Sequence, residues 1–419
     1  MILLGAGSSV PFGIPGMAGF TIQFIEESKK VSYFLSNIEH AINKTEELVG
    51  ISLPFDLETL LSVLNDLSSE KKISIPTASL MLREGLNIKR LRAKYGKVAS
   101  STLERLRQFI FRTCMKPIKE GRAEGNFGFL DRFYGPLMTV LNGTGLRNIQ
   151  GPIIKTYSTN WDLCFKTWVD YINIPIRNGT SIDRQSFPIL EVMEFHTAHS
   201  GAGFDYVPLH GCLDLVKMYR PKGKGIYSDV SKISDPLGYF EEKPALLKDV
   251  FMIYPLEAIG YEESIKSPYL DMINAFRISL RMENIVFIIG YSLRDPTIGS
   301  IFEEVIAERI RDGHLNLLSK DLDSRKSEVK DHTLKIVVIN PNPEKLAENL
   351  RKQFHTNLMQ TFVPIRIEFP MVADGGFKGK YNNILHQIIE DLSEIGYLSD
   401  SHRRQIFESL DTEYRMKFP

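Results

Sequence analysis

Met1-Ile2-Leu3-Leu4-Gly5-Ala6-Gly7-Ser8-Ser9-Val10-Pro11-Phe12-Gly13-Ile14-Pro15 opens the chain, and this stretch decides how the rest is read. Three aliphatic residues suit a short buried strand, and the glycines after them suit a sharp turn. In an open α/β sheet such a turn presents backbone N–H groups to a diphosphate. A helix starting soon afterwards aims its positive end at the same spot. Gly5 and Gly7 are expected to take backbone angles closed to other residues and to let a ligand approach the main chain.

Outward from this turn, residues 16 to about 145 carry helical rather than strand periodicity. Apolar residues recur at Phe20, Ile22, Phe24 and Ile25, at Leu57, Leu60, Leu61 and Leu64, at Leu103, Leu106, Phe109 and Ile110, and at Phe129, Leu130, Phe133, Leu137 and Leu141. Asp56 with Glu58 marks a helix start and Gly143 a stop. The strands come later, as short aliphatic runs at Pro152–Tyr157, Tyr206–Leu209, Asn284–Ile289, Leu334–Ile339 and Pro364–Phe369. Helical stretches near 162–172, 268–282, 295–310, 343–353 and 381–395 separate several of them. Apolar strands alternating with helices predict a parallel sheet covered on both faces.

The expected architecture is therefore α/β: a Rossmann-like parallel sheet with helices on both faces and a large helical insertion after the first strand. Residues 1–15 and 150–398 build the sheet domain, 16–149 the insertion and 399–419 a helical tail. Residues 217–244, rich in Gly, Pro and Lys, read as a long loop or small subdomain, and Ser319–His332 as a solvated loop.

Composition narrows the class. The 419 residues are 43% apolar and 24% charged, the balance of an ordinary globular protein. Acidic and basic residues number 51 each, so no global field recruits nucleic acid or an anionic membrane. Cys114, Cys164 and Cys212 form no Cys-x-x-Cys pair and suit neither a disulfide framework nor a cysteine-rich zinc site. They are expected as buried small hydrophobes in a reducing cytoplasm. No leader pattern or membrane-length apolar run stands out, so a soluble, cytoplasmic protein is expected.

Ligands of open α/β sheets bind outside the carboxyl ends of the strands, so the residues just past each strand are the informative ones. Past the first lies the glycine turn. Past the others lie Ser158-Thr159-Asn160-Trp161-Asp162, then His210-Gly211, then Gly290-Tyr291-Ser292-Leu293-Arg294-Asp295-Pro296, then Asn340-Pro341. Five strand ends thus carry small or polar residues suited to a nucleotide. Asp162 and Asp295 read as helix caps, and Trp161 and Phe12 as core or pocket wall.

These residues resemble the sirtuin family. Gly5-Ala6-Gly7-x-Ser9-x-x-x-Gly13-Ile14-Pro15 is similar to its nucleotide-binding opening, Asn160-x-Asp162 to its Gln-Asn-x-Asp, and His210-Gly211 to its catalytic His-Gly. Gly290 and Ser292 stand where sirtuins carry Gly-Thr-Ser, and Asn340 where an Ile-Asn pair ends a late strand. The resemblance covers residues 1–15 and roughly 150–345. The form Ser158-Thr159-Asn160-Trp161-Asp162 with Gly290-Tyr291-Ser292-Leu293-Arg294-Asp295-Pro296 looks more like the sirtuin-like domains of bacterial antiphage defence proteins than like protein deacetylases. Three departures stand out: no zinc ribbon follows His210, Gly16-Met17-Ala18 replaces Asp-Phe-Arg, and Thr159 replaces the Gln. Loss of the ribbon removes part of the acyl-peptide groove wall, which turns the expectation away from deacylation.

The resemblance implies an NAD+ glycohydrolase with NAD+ as substrate and no zinc. His210 would be the general base, and Asn160 would hold the nicotinamide ribose and the attacking water. Gly5, Ala6, Gly7, Ser9, Gly13, Ile14, Thr159, Asp162, Gly290, Ser292 and Asn340 would surround the dinucleotide. It also implies a role as effector of an abortive-infection system, an oligomer of the chain itself, and activation by a HerA-type DNA translocase ATPase, a short Argonaute or a phage protein. No sequence-specific nucleic-acid binding and no membrane association are expected. A protein deacylase or ADP-ribosyltransferase, and a non-catalytic NAD or ADP-ribose module, are the alternatives.

Overall fold

A computed structural model of the chain describes residues 1–28, 32–50, 53–68, 73–143, 153–178, 180–182, 188–190, 203–222, 225–252, 268–283, 285–293, 295–317, 335–340, 362–366, 401 and 404. The helical expectations at 343–353 and 381–395, the solvated loop Ser319–His332 and nearly all of the 399–419 tail lie outside these residues.

The first strand, β1 (Ile2–Leu4), lies at the centre of a seven-stranded parallel sheet. β2 (Ile153–Ser158) and β6 (Gly203–Pro208) follow on one side, with the two-residue edge strand β3 (Ile176–Arg177) beyond them. β10 (Ile285–Ile289), β11 (Lys335–Asn340) and β12 (Phe362–Arg366) follow on the other side. Apart from β3, the order β6-β2-β1-β10-β11-β12 is that of the Rossmann fold, and its direction reverses between β1 and β10. All residues of β1 and β10 are buried, as strands covered on both faces must be. The α/β Rossmann-like architecture expected from the strand pattern is the one observed.

Between β1 and β2 the described residues are helical: α1 (Met17–Glu27), α2 (Ser32–Asn43), α3 (Thr45–Val49), α4 (Leu57–Ser68), α5 (Ile75–Glu84), α6 (Ile88–Glu124) and α7 (Gly128–Gly143). Four of them carry the apolar periodicities read from the sequence. The Asp56 start signal works as a cap: its carboxylate accepts from the Thr59 N–H at 3.1 Å, while the Thr59 hydroxyl accepts from the Asp56 N–H at 3.0 Å. Helices α2, α3 and α5 fall inside the expected helical insertion without having been picked out singly, although Phe34, Leu35, Ile38, Ala41 and Ile42 of α2 recur at helical spacing and are buried.

An aromatic cluster docks this helical part on the sheet. Phe12 meets Phe133 of α7 at 5.5 Å between ring centroids, and Tyr134 meets Phe165 at 5.3 Å and Trp168 at 5.0 Å. The last two belong to α8 (Cys164–Tyr171), and Phe165 packs in turn on Phe204 of β6 at 5.1 Å. Edge-on and tilted ring pairs of this kind add to the burial of large apolar surface. Phe12 is thus a partly buried residue packed against the core.

A second sheet departs from the sequence reading. The order β4-β5-β8-β7-β9 is antiparallel, with β4 (Thr180–Ile182), β5 (Pro188–Leu190), β7 (Gly211–Lys222), β8 (Gly225–Lys232) and β9 (Val250–Met252). Where residues 217–244 read as a long loop or small subdomain, β7 and β8 form a long hairpin that begins at Gly211 and whose register closes at Lys222↔Gly225, followed by α9 (Pro236–Glu242). Lys217, Lys222 and Lys232, which suggested a loop, lie along the hairpin. Lys166 of α8 pairs with Asp214 of β7, both side chains buried, and this ion pair clamps the second sheet to the first. Burial opposes the Lys166 charge, but the Asp214 carboxylate overrides it and holds the ammonium above its usual range. No helix among the described residues is long and apolar enough to cross a membrane.

Candidate active site

One row of backbone crosses the parallel sheet and sets the geometry of the site. Ile289 of β10 pairs with Leu4 of β1, Leu4 with Ser158 of β2, and Ser158 with Pro208 of β6. On the other side Ile289 pairs with Ile339, and Ile339 with Ile365. The polar residues picked from the sequence therefore all begin just past one line. Asn160 and His210 each stand two residues beyond the paired Ser158 and Pro208, on adjacent strands.

At the switch point the two glycine turns pack directly on each other. The Gly5 N–H donates to Ile289 O, the Gly7 N–H to Gly290 O, and the Ser8 N–H to Gly5 O, each at 2.8 Å. A Cβ on Gly5 would lie 2.4 Å from Tyr291 Cα, and one on Gly7 2.8 Å from Gly290 Cα. Gly5 has an extended φ of −120°, and Gly7 is not in the left-handed region either. This corrects the reason expected for these glycines. They are required by the close approach of the second turn, and their N–H groups are taken by protein acceptors. Gly290 is the residue that needs glycine's freedom: its φ is +63°, and a Cβ there would lie 2.2 Å from Ser8 N.

Behind the first turn, Ser8 and Ser9 lie in the short 3-10 helix Ala6–Phe12 and are buried. Asn160 Nδ2 donates to both hydroxyls at 3.0 Å. Ser8 passes its own proton to Gly5 O at 2.8 Å, and Ser9 to Asp162 Oδ2 at 2.6 Å. Asp162 Oδ1 accepts from the Cys164 N–H at 2.9 Å at the start of α8, the capping role read from the sequence. Burial pushes the Asp162 carboxyl above the usual aspartate range, against the pull of the Ser9 hydroxyl and the Cys164 N–H. Asn160 Oδ1 is buried and has no hydrogen-bond partner among the described residues. Such an acceptor costs stability unless a ligand or water meets it.

His210 sits where the chain leaves the parallel sheet for the antiparallel one. Gly211 follows with φ +78°, and a Cβ on it would fall 1.8 Å from Phe251 O, so only glycine allows β9 to close on this turn. The imidazole is buried, and its Nε2 lies 2.8 Å from Asp295 Oδ2. Asp295 Oδ1 accepts from the Thr297 and Ile298 N–H groups at 2.7 and 3.3 Å, so the carboxylate also caps the helix Pro296–Leu317. Sequence reading assigned only the cap. Tyr291 beside it has a buried hydroxyl with no hydrogen-bond partner among the described residues. Burial pushes this phenol up, with the Asp295 and Glu58 carboxylates adding to the effect. Through Glu58 of α4 the helical insertion reaches the crevice electrostatically.

The remaining predicted residues fall into four groups. Thr159 holds the Leu4 carbonyl with its N–H at 2.9 Å and its hydroxyl at 3.2 Å, and Asn340 Nδ2 reaches the Tyr291 carbonyl at 3.4 Å. Both brace the strand ends. Ala6 lies in the first turn and is half-buried, while Ser292 is exposed on the second. Ile14 is a core residue. Gly13 lines a different groove of about 1170 Å³ between α1, α6 and α9, where Phe24, Arg105, Phe109 and Phe240 stand; neither Asn160 nor His210 lines it.

The three cysteines are free and buried, as expected. Distant in sequence, Cys114 and Cys164 both feel the Asp162 carboxylate, and Cys212 Sγ faces the Asp162 carbonyl at 3.8 Å. Burial holds all three thiols well above their usual range. Among the described residues no cluster of His, Cys, Asp or Glu is arranged to hold a metal ion.

The fold and these strand-end residues define an α/β protein of Rossmann type with buried polar side chains at its switch point. Comparison with protein-family models and with curated proteins finds no match to the chain.

Proposed function

We propose that this chain is a sirtuin-like NAD+ hydrolase that releases nicotinamide and ADP-ribose, acting as the partner-activated effector of an antiphage system. The observation that carries this reading is that Asn160 and His210 each follow by two residues the last paired positions of adjacent strands, Ser158 and Pro208, with Asn160 Oδ1 buried and without a partner among the described residues. The donor set suits a dinucleotide. Asn160 Oδ1 is free to accept from a ribose hydroxyl, and its amide nitrogen is held rigid by Ser8 and Ser9. The cationic nicotinamide ring is a good leaving group, so the reaction needs orientation and a proton acceptor more than a strong acid.

In the reaction the bond between the ribose C1′ and the nicotinamide nitrogen breaks, its electron pair neutralising the ring. A water oxygen bonds to C1′ and its proton passes to His210, then to solvent. NAD+ and water thus yield nicotinamide, ADP-ribose and one proton. Asn160 orients ribose and water, and the buried crevice keeps other nucleophiles out. The nearly complete burial of Asn160, Ser8, Ser9 and His210 in the chain alone supports activation in trans, since NAD+ must reach groups that are covered here.

The test is nicotinamide release from NAD+ by the purified chain, alone and with extracts of infected cells, followed by chromatography. Release that disappears in His210→Ala and Asn160→Ala supports the reading. Turnover surviving in both variants refutes the site, and acyl transfer from an acetyl-lysine peptide to ADP-ribose would place the chain among the deacylases.

A further inference from the structure

We infer that Asp295 is the positioning residue of His210, fixing the ring so that Nδ1 is the atom that takes the proton. The inference rests on the hydrolase reading for its chemistry and on the His210–Asp295 contact for its structure. Asp295 Oδ2 faces His210 Nε2 at 2.8 Å, with both side chains only 3% exposed. Its other oxygen is held by two backbone N–H groups at the start of a 22-residue helix, so the carboxylate cannot turn away. Pro296 opens that helix and fixes the backbone immediately after the carboxylate.

A carboxylate only accepts hydrogen bonds, so the nitrogen facing it carries the proton. In neutral His210 that nitrogen is Nε2, and the lone pair is left on Nδ1. Nδ1 makes no hydrogen bond to a described residue. When the water proton arrives there, the Asp295 charge stabilises the imidazolium that forms. The arrangement is a base–orienter pair whose members come from the ends of β6 and β10, on opposite sides of β1. Among the described residues, the phenols of Tyr269 and Tyr291 and the Glu58 carboxylate also act on Asp295 or Tyr291, and burial keeps both phenols protonated and uncharged.

Asp295→Asn retains a helix-capping oxygen but can turn an amide N–H toward Nε2, which selects the opposite tautomer. The expected result is a fall in kcat of roughly 10²-fold or more, with KM for NAD+ within about twofold of the native value. Asp295→Glu should restore part of that loss. The structural readout is the 15N NMR spectrum of histidine-labelled full-length protein, with the His210 signals identified by their absence in His210→Gln. A proton on Nε2 in the native chain, moving to Nδ1 in Asp295→Asn, is the expected outcome. A native proton on Nδ1, or native kcat in Asp295→Asn, overturns the inference. If Asp295→Asn does not fold, Asp295→Ser keeps the cap without the acceptor, and the native spectrum decides by itself. If the chain never cleaves NAD+, the hydrolase reading falls, while the NMR result still decides what Asp295 does to His210.

Discussion

Two buried carboxylate networks in this molecule look alike and do different work. In the helical part, Asp66 Oδ2 accepts from the Ser74 N–H, the Ser74 hydroxyl and the Thr77 hydroxyl at 2.7, 2.6 and 2.8 Å. Its partners lie 8 to 11 residues away, and the network ties the start of α5 to α4. At the crevice, Ser9 reaches Asp162 across 153 residues, Asn160 reaches Ser8 across 152, and His210 meets Asp295 across 85. The local network is a joint made by neighbours in sequence. The crevice network exists only because the sheet register brings four strand ends to one line. Both networks hold a buried acceptor without a partner among the described residues, Asp66 Oδ1 and Asn160 Oδ1, but only the crevice adds a potential base and an orienting amide.

The sharpest way to break the comparison is at His210. His210→Gln keeps a donor facing Asp295 but removes the base, and turnover should fall by roughly 10²- to 10⁴-fold with little change in thermal midpoint. An unfolded variant with native specific activity in its folded fraction would make His210 a joint like Asp66. Next comes Gly290→Ala, which forces a side chain into a left-handed backbone and onto Ser8 N. Denaturant unfolding should show a loss of about 3 kcal/mol. A neutral result would mean the two turns can separate freely, contrary to their packing here.

Asp66→Ala should cost about 2 kcal/mol of stability while leaving turnover per folded molecule unchanged. A change in KM or kcat would show that the helical joint is coupled to the crevice. The smallest effect concerns pH. The folded state raises the Asp162 pKa above the ordinary 3.8, so between 3.8 and that raised value the native chain holds a proton the unfolded chain has lost. Asp162 therefore makes stability fall as pH rises through this window. Asp162→Asn should flatten that slope in urea titrations at successive pH values; an unchanged slope would assign the proton elsewhere.

Much of the fold was legible because parallel strands buried on both faces are uninterrupted aliphatic runs, as Ile285-Val286-Phe287-Ile288-Ile289 shows. The β7–β8 hairpin was not, since Lys217, Lys222 and Lys232 and the glycines near its turn mimic a solvated loop. The polar residues at the strand ends were legible too, because a strand that stops in Gly, Asn or His states its chemistry locally. Their partnerships were not. Asp295 followed by Pro296 carries the signature of a helix cap, and nothing in that dipeptide points to a histidine 85 residues earlier.

What the sequence determined by itself was the six main strands of the parallel sheet, the helical stretch after the first of them, and polar residues placed beyond five of them. These follow from residue size, branching and polarity over a few neighbouring positions. Which strand lies beside which, and therefore that Asn160 and His210 follow adjacent strand ends, that Gly7 rests on Gly290 and that Asp295 meets His210, was decided only by tertiary structure. Sheet register and loop-on-loop packing are long-range choices, made when the whole apolar core closes.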